Sequence, residues 1–261
     1  MKIFDCFLFF NELELLELRL MTLHDVVDYF VLVEANKTFT DKPKDFLFEK
    51  NKKSYKKYLN KIIHVKVEDT PMLDRAKNAW AIEEWQRNCI TRGLATAKDE
   101  DRVIVSDVDE IPDPGRVMQV KDSNKPVTFK QYLFYYFVNC WGGRDWNGSV
   151  MTPYKNMMVP YRLKGLARKG LNRIKNSGWH YTYMGGVKNI RLKLNNLSDA
   201  YTRRDQVGND EDILRKIMTQ KDLWDEHRAH TLVNIDEKGY APLTIKTFLA
   251  TYPSFHFGPL P

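Results

Sequence analysis

Asp107, Asp109 and Glu110 place three carboxyl groups within four consecutive residues, directly after the apolar segment at residues 102–106. Like charges at this spacing repel each other unless a cation neutralises them. Hard divalent ions take oxygen ligands, commonly one or two carboxylates together with phosphate oxygens. The spacing therefore predicts a Mn²⁺ or Mg²⁺ site at Asp107 and Asp109. An acidic loop that caps the helix near Pro114 is the alternative.

The apolar segments of the first half alternate with segments of helical periodicity. Such alternation is typical of an α/β protein whose mainly parallel central sheet is flanked by helices on both faces. The carboxyl ends of parallel strands form the edge of the sheet where ligands bind. Strands are predicted at residues 3–10, 29–33, Ile62–Val67 and 102–106, and helices at residues 13–24 and 73–97.

Polar residues follow the first two predicted strands at this same edge. Asn11 and Glu12 come after the first strand, and Glu34 and Asn36 come after the second. Because the carboxyl ends of parallel strands meet at one edge, these side chains are expected to line the same site as Asp107.

The second half of the chain is rich in aromatic residues and in glycine-containing turns. Residues 127–140 are predicted to form a long strand or hairpin arm, and residues 179–186 a strand that ends at a glycine pair. Helices are predicted at residues 187–194 and Asp210–Met218. No internal repeat and no linker rich in Pro, Gly or Ser divides the chain. Residues 1–261 are therefore expected to form a single domain.

Residues 106–112, which read SDVDEIP, resemble the signature of glycosyltransferase family seventeen, the β-1,4-mannosyl-glycoprotein N-acetylglucosaminyltransferase family. The resemblance implies a GT-A fold, with a Rossmann-type nucleotide-sugar-binding half at 1–112 and an acceptor-side half at 113–261. It also implies a UDP-sugar donor, a divalent metal and inversion at the anomeric carbon. The likeness extends to residues 4–20 (FDCFLFFNELELLELRL), 26–39 (VVDYFVLVEANKTF), 86–90 (QRNCI) and 178–180 (GWH).

The resemblance weakens at residues 197–201, which read LSDAY where the family carries a Phe-x-His-x-Glu-like segment. UDP-GlcNAc is the expected donor, and this departure leaves another UDP-hexose or UDP-xylose as the alternative. The acceptor and the linkage stay open.

The chemistry of such a transfer and the residue types together predict roles for individual residues. Asp109 is expected to bind the metal directly, and Asp107 to act through the ribose or the water shell of the ion. His180 is the expected third ligand, and a hydrogen-bonded core histidine is the alternative. Arg87 is expected to contact phosphate, with a salt bridge as the alternative. The expected donor-binding residues are Asn11, Glu12, Glu34, Asn36, Arg87 and Asp107.

A single displacement with inversion needs a general base near the acceptor hydroxyl. Asp210, in an acidic segment at a predicted helix start, is the favoured base, with Glu110 and Asp145 as further candidates. Acids at a helix start also compensate the helix dipole, which is the structural alternative. Trp141 and Trp146, with Asp145 between them, are predicted to bind the acceptor by stacking on sugar faces. Ordinary core tryptophans are the alternative reading.

Charge and composition narrow the classes of partner. Lys and Arg number 41 against 34 Asp and Glu, which gives a formal charge of +7. A positive field suits a nucleotide diphosphate or a nucleic acid. Because no nucleic-acid-binding motif is visible, the expected partners are a UDP-sugar and a glycan acceptor. A basic nucleic-acid-binding protein and a phosphatase of the haloacid dehalogenase type, with Asp107 as nucleophile, are the more distant alternatives.

No apolar run approaches the roughly 20 residues that span a bilayer. Residues 3–10 are too short, are interrupted by Asp5, and are not followed by a signal-peptide cleavage site. A soluble, cytoplasmic protein without a membrane span is therefore expected, and a membrane anchor outside these residues is the alternative. Cys6, Cys89 and Cys140 lie far apart, which argues against a disulfide framework or a zinc site.

Overall fold

One ten-stranded sheet runs through the computed structural model, which describes residues 1–71, 79–198, 203–237 and 239–260. The strands are β1 Ile3–Phe9, β2 Tyr29–Ala35, β3 Ile62–Val67, β4 Arg102–Asp107, β5 Glu110–Pro112, β6 Val127–Tyr135, β7 Cys140–Pro153, β8 Asn172–Ile174, β9 Gly178–Thr182 and β10 Thr231–Leu232. The helices are α1 Leu13–Leu23, α2 Leu47–Asn51, α3 Ala79–Asn88, α4 Pro114–Val120, α5 Pro160–Gly165, α6 Gly186–Leu194, α7 Asp210–Met218 and α8 Ile245–Thr251.

The sheet is mixed, with the strand order β3-β2-β1-β4-β7-β6-β9-β5. The four strands of the first half pair in parallel, as the alternation of strands and helices predicts. β7 then pairs antiparallel with both β4 and β6. The reason is local, because β6 and β7 are joined by a short turn, and a short turn between neighbouring strands forces an antiparallel hairpin. A mainly parallel sheet is therefore not confirmed, whereas the α/β class is.

The sheet curls back toward its own middle. β5 begins only two residues after β4 ends, yet it pairs with β9 at the far end of the strand order. The short link Val108-Asp109 therefore crosses from one part of the sheet to the other. The second aspartate of the Asp-x-Asp pair, Asp109, lies in this link.

Both faces of the parallel strands are covered. Phe7 of β1 and Leu32 of β2 pack into one buried cluster, together with the apolar side of α1. Cys6 and Val31, one residue away on the same strands, pack into a second cluster on the opposite face. Because successive strand residues point to opposite faces, this explains why the strands read as continuous apolar runs.

The helices follow the predicted order. α7 has the predicted bounds, and a capping box fixes its start, in which Asn209 and Asp212 each accept a backbone N–H of the other. The helix predicted over residues 73–97 is shorter, because α3 gives way to a 3₁₀ helix at Cys89–Leu94. Residues 73–78 lie outside the described residues. None of the helices in the described ranges is long and apolar enough to cross a membrane.

His230 is buried against Tyr135, and their rings stack with centroids 4.2 Å apart. Neither ring nitrogen has a hydrogen-bond partner in the described part of the chain. Burial lowers the pKa of His230 to about 4, and Asp222, 4.0 Å from Nε2, opposes this only in part. The folded chain therefore holds His230 neutral at neutral pH.

We expect the free energy of unfolding to fall on acidification through this histidine. The unfolded chain takes up a proton near pH 6.5, whereas the folded chain does so only near pH 4, so acid favours the unfolded state between these values. The expected loss between pH 7 and pH 5 is about 2 kcal/mol, measured from urea midpoints. His230→Gln should remove most of this loss, and the exposed control His227→Gln should retain it. An unaltered pH profile in the His230 variant would contradict the assignment.

Candidate active site

A cavity of about 260 Å³ opens at the carboxyl ends of β1 and β4. The segment after β1 forms its floor, α3 forms one wall, and β9 with α6 forms another. This is the edge of the sheet at which the sequence predicts a site. Its charged and aromatic lining includes Glu12, Glu83, Arg87, Asp107, Asp109, Trp146, His180 and Lys193.

Arg19 of α1 holds the segment that carries the acids. It is fully buried, and its Nε donates a hydrogen bond to Oδ2 of Asp5 at 2.7 Å. Its Nη1 donates to the carbonyl of Asp107 at 3.0 Å and to that of Glu110 at 2.7 Å, and its Nη2 donates to the Ser106 hydroxyl. One guanidinium therefore satisfies carbonyls at both ends of the link between β4 and β5. This fixes the backbone from which the acidic side chains project.

Asp107 reaches the cavity with 37% of its side chain exposed. Its Oδ1 accepts from Nη1 of Arg87 at 2.7 Å, and Nζ of Lys164 lies 3.5 Å from Oδ2. Partial burial disfavours the charged carboxylate, as does Asp109, but the two basic side chains outweigh both and hold the pKa of Asp107 well below its ordinary value. Arg87 also bonds Glu83 at 2.8 Å, so the salt-bridge alternative describes its position.

Asp109 lies deeper, with 5% of its side chain exposed. Its Oδ2 accepts from Nζ of Lys193 at 2.7 Å, and its Oδ1 lies 3.6 Å from Nε2 of His180. Burial opposes the charge on Asp109, but Lys193 and His180 outweigh it and hold the pKa of that carboxyl below its ordinary value. The other ring nitrogen of His180, Nδ1, is buried and has no partner among the described residues.

The Asp109 and His180 side chains fit a divalent ion. A carboxylate oxygen and an imidazole nitrogen side by side are donors that Mn²⁺ accepts, and such ions often take their remaining ligands from phosphate and water. Within the described ranges, no group of three or more His, Cys, Asp or Glu side chains could hold a metal. The predicted trio with Asp107 is therefore not assembled, because Asp107 is directed at Arg87 and Lys164.

Glu110 is buried beneath the cavity and is not part of its lining. Its carboxylate accepts two bonds from Lys164 Nζ, at 2.7 Å each, one from Trp146 Nε1 at 2.6 Å and one from the Asp107 amide at 3.0 Å. These donors hold the Glu110 carboxylate beneath the cavity, where it supports Lys164, Trp146 and the Asp107 amide, and its predicted catalytic role stays a prediction. A Cβ at Gly148 would lie 2.5 Å from Oε1 of Gln131 and 2.7 Å from this carboxylate, so a larger residue there would force these buried side chains to shift.

The charges of the three clustered acids are balanced within the site. The helix-capping alternative does not apply to them, because α4 is capped by Asp113, whose Oδ1 accepts from the Arg116 amide at 2.8 Å. The basic partners come instead from three other helices: Arg87 in α3, Lys164 in α5 and Lys193 in α6.

The sequence profile of glycosyltransferase family 17 matches residues 1–234. The chain belongs to glycosyltransferase family 17. A segment of 117 residues is 28% identical to the beta-1,4-mannosyl-glycoprotein 4-beta-N-acetylglucosaminyltransferases of Homo sapiens and Rattus norvegicus. The match covers 42% of this chain and 22% of each relative, so the chain spans about a fifth of their length. The resemblance carried by the SDVDEIP segment is thereby confirmed.

Two solved structures are similar to the family 17 chain over about two thirds of its length. HddC from Yersinia pseudotuberculosis, complexed with GMP-PN, is 8% identical, covers 67% of this chain and 90% of its own, and has a TM-score of 0.38. The inositol-1-phosphate CTP transferase from T. maritima is 10% identical, covers 70% and 86%, and has a TM-score of 0.38.

The strand-end residues expected to bind the donor of this family 17 chain separate into two groups. Glu12 lines the cavity without a salt bridge in the described structure, although Lys44 and Lys193 act on it at longer range and its Oε2 accepts the Asn11 amide at 3.0 Å. Asn11 lies beside it on a smaller cavity. Glu34 instead is fully buried, with Oε2 3.0 Å from Nε2 of His64. Asn36 also lies outside the lining. Glu34 therefore stabilises the segment after β2, and the structure does not place Glu34 where a donor would contact this residue.

Asp210 lies on the surface of the family 17 chain, away from the cavity. Its side chain is 70% exposed and accepts from Nε of Arg191 at 2.8 Å. In the first turn of α7 its charge compensates the helix dipole, as the structural alternative expects. The structure therefore does not support the predicted role of Asp210 as general base.

The candidate acceptor residues also separate. Trp141 packs against Tyr240 with ring centroids 5.8 Å apart, and Asp145 pairs with Lys130 at 2.7 Å, both outside the cavity lining. Trp146 does line the cavity. Because successive residues of a strand point to opposite faces of the sheet, Trp146 lines the cavity whereas its neighbour in β7, Asp145, does not.

Trp80 is a lining residue that the sequence analysis did not single out. It is 53% exposed and lies on the same face of α3 as Glu83 and Arg87, at the three- and four-residue spacing of a helix. The sequence did contain a signal for Trp80. Arg87 was already a candidate site residue, and the helical spacing places Trp80 on the same face of α3 as Arg87. Lys164 and Lys193 offered no comparable pattern.

Proposed function

We propose that this chain transfers N-acetylglucosamine from UDP-GlcNAc to a hydroxyl group of a glycan, forming a β-linkage with inversion. The observation that carries the proposal is the cavity at the carboxyl edge of the parallel strands, with Asp107 and Asp109 on its wall, in a family 17 chain. Nucleotides bind at this edge in open α/β sheets, which supports a GT-A arrangement. The human and rat relatives are beta-1,4-mannosyl-glycoprotein 4-beta-N-acetylglucosaminyltransferases, which supports the sugar and the kind of acceptor.

Asp109 and His180 are the residues we assign to a divalent ion, Mn²⁺ or Mg²⁺. When bound, such an ion supplies a Lewis acid against the negative charge that grows on the departing diphosphate. Arg87 keeps Asp107 ionised at the cavity wall, where the carboxylate would accept from ribose hydroxyls or from water around a bound ion. Lys193 adds a positive charge to the same wall.

Inversion requires a base that takes the proton of the attacking hydroxyl. Glu12 is the carboxylate we propose for this role, because the other acids of the lining are all paired with basic side chains in the described structure. Trp80, half-exposed at the cavity wall, offers an apolar face on which an acceptor sugar can stack.

The proposal is tested with a panel of UDP-GlcNAc, UDP-glucose, UDP-galactose and UDP-xylose, assayed for UDP release with Mn²⁺ and with EDTA. We expect release to be fastest from UDP-GlcNAc, to require the metal, and to increase with a glycan acceptor, and the product to be the β-anomer by NMR. Glu12→Gln should lower turnover while UDP still binds.

The outcomes separate the parts of the proposal. Preference for another UDP-sugar overturns only the GlcNAc assignment, and turnover that persists in EDTA overturns the metal. Loss of UDP binding in Glu12→Gln makes Glu12 a donor-binding residue, as the sequence predicts. A chain that neither binds UDP nor releases it from any donor refutes the function.

A further inference from the structure

The basic residues that line the cavity differ in whether they are paired with an acidic side chain. Four of them are already neutralised by a carboxylate of this chain, whereas Arg168 has no acidic partner in the described structure. The four pairs are Lys37 with Asp41 at 2.8 Å, Lys44 with Glu34 at 3.5 Å, Arg87 with Asp107 at 2.7 Å, and Lys193 with Asp109 at 2.7 Å.

Arg168 is exposed at the cavity, and an aromatic ring supports its guanidinium. Its guanidinium lies over the ring of Trp146, 4.6 Å from the ring centroid. Trp146 is fixed by its bond to the buried Glu110 at 2.6 Å, and its ring lies 5.0 Å from that of His180. His180 in turn lies 3.6 Å from Asp109. A series of direct contacts therefore connects the unpaired arginine to the acids of the cavity.

We propose that Arg168 binds the diphosphate of the nucleotide-sugar donor, an inference that rests on the proposed function. The planar guanidinium presents paired N–H donors that match phosphate oxygens, and it keeps this geometry while stacked on an aromatic ring. Trp146 thereby serves as the support of the arginine rather than as a platform for an acceptor sugar.

Arg168 also stabilises the leaving group in the transfer step. The bond between the anomeric carbon and the β-phosphate oxygen breaks, and its electron pair passes to that oxygen. The acceptor oxygen forms the new bond to carbon, and its proton passes to the base. Positive charge next to the diphosphate is needed most in the transition state, when negative charge grows there.

The test is calorimetric titration of UDP and of uridine into the full chain, in the presence of Mn²⁺. We expect Arg168→Met to weaken UDP binding about 10- to 100-fold, as for the loss of charge-assisted hydrogen bonds, and to leave uridine binding unchanged. Arg168→Lys keeps the charge but not the paired donors, so its affinity for UDP should lie between that of the wild type and that of Arg168→Met. Arg173→Met is the matched control, because Arg173 is exposed, has no ion pair in the described structure and lies outside the cavity.

Three results would overturn the inference. If wild type prefers UDP to uridine and Arg168→Met binds UDP equally well, Arg168 does not bind the diphosphate, although the proposed function stands. If wild type does not bind UDP, the proposed function fails with it. An equal weakening of uridine and UDP in the variant, with unchanged thermal melting, would also count against a diphosphate contact.

Discussion

Asp109→Asn is expected to lower turnover of the UDP-sugar by about 10³-fold, because several kcal/mol of charge stabilisation in the transition state depend on this carboxylate. The substitution keeps the shape of the side chain and removes its charge. Oδ1 of Asp109 lies 3.6 Å from Nε2 of His180, and these are the two atoms that we assign to the metal. In the variant, the group beside His180 no longer carries a negative charge. Turnover is measured as UDP release with saturating donor and Mn²⁺.

The control for this variant is Asp236→Asn, which also removes a carboxylate paired with a lysine, Lys246 at 2.8 Å, but on the surface. It should behave as wild type. Because Asp109→Asn leaves the Lys193 ammonium without its partner, Asp109→Asn with Lys193→Met restores the charge balance and should recover thermal stability without turnover. Wild-type turnover in either Asp109 variant would contradict the assignment.

Arg19→Met is expected to lower the free energy of unfolding by about 3–5 kcal/mol, the usual cost of breaking a buried ion pair on one side. The substitution leaves Asp5 charged, buried and unpaired, and it frees the carbonyls of Asp107 and Glu110 that the guanidinium satisfies. The measurement is chemical unfolding at neutral pH.

An exposed pair provides the matched control. Arg92 bonds Asp69 through both terminal nitrogens at 2.8 Å, but its side chain is 39% exposed, so Arg92→Met should cost less than about 1 kcal/mol. Equal losses for the two arginines would mean that burial does not decide the value of the Arg19 pair. Asp5→Leu with Arg19→Met should recover part of the loss, since no unpaired charge then remains.

The position of the acids could be predicted from sequence because the signal is local. An apolar run followed at once by Asp107 and Asp109 describes a buried strand and its carboxyl end, and the structure ends β4 at Asp107. Strand β3 and helix α7 likewise have the predicted bounds, since hydrophobic periodicity and capping residues lie within each segment.

The partners of those acids could not be predicted, because they come from distant parts of the chain. Lys193 lies 84 residues from Asp109, and Lys164 lies 54 residues from Glu110. Periodicity assigns a residue to a face of its own element and says nothing about which other element will pack there. Asp210 illustrates a second limit, because an acid at a helix start has a sufficient local reason in the helix dipole and does not by itself indicate catalysis.

The curled sheet also bears on how the chain can move. A hinge between residues 1–112 and residues 113–261 would have to pass through residue 112, but the β4–β7 and β5–β9 hydrogen-bond ladders join strands on either side of it. Rocking one half against the other would break these ladders. Under the proposed function, donor and acceptor would therefore bind to one continuous sheet, and any closure over them would be a movement of loops rather than a rotation of one half against the other.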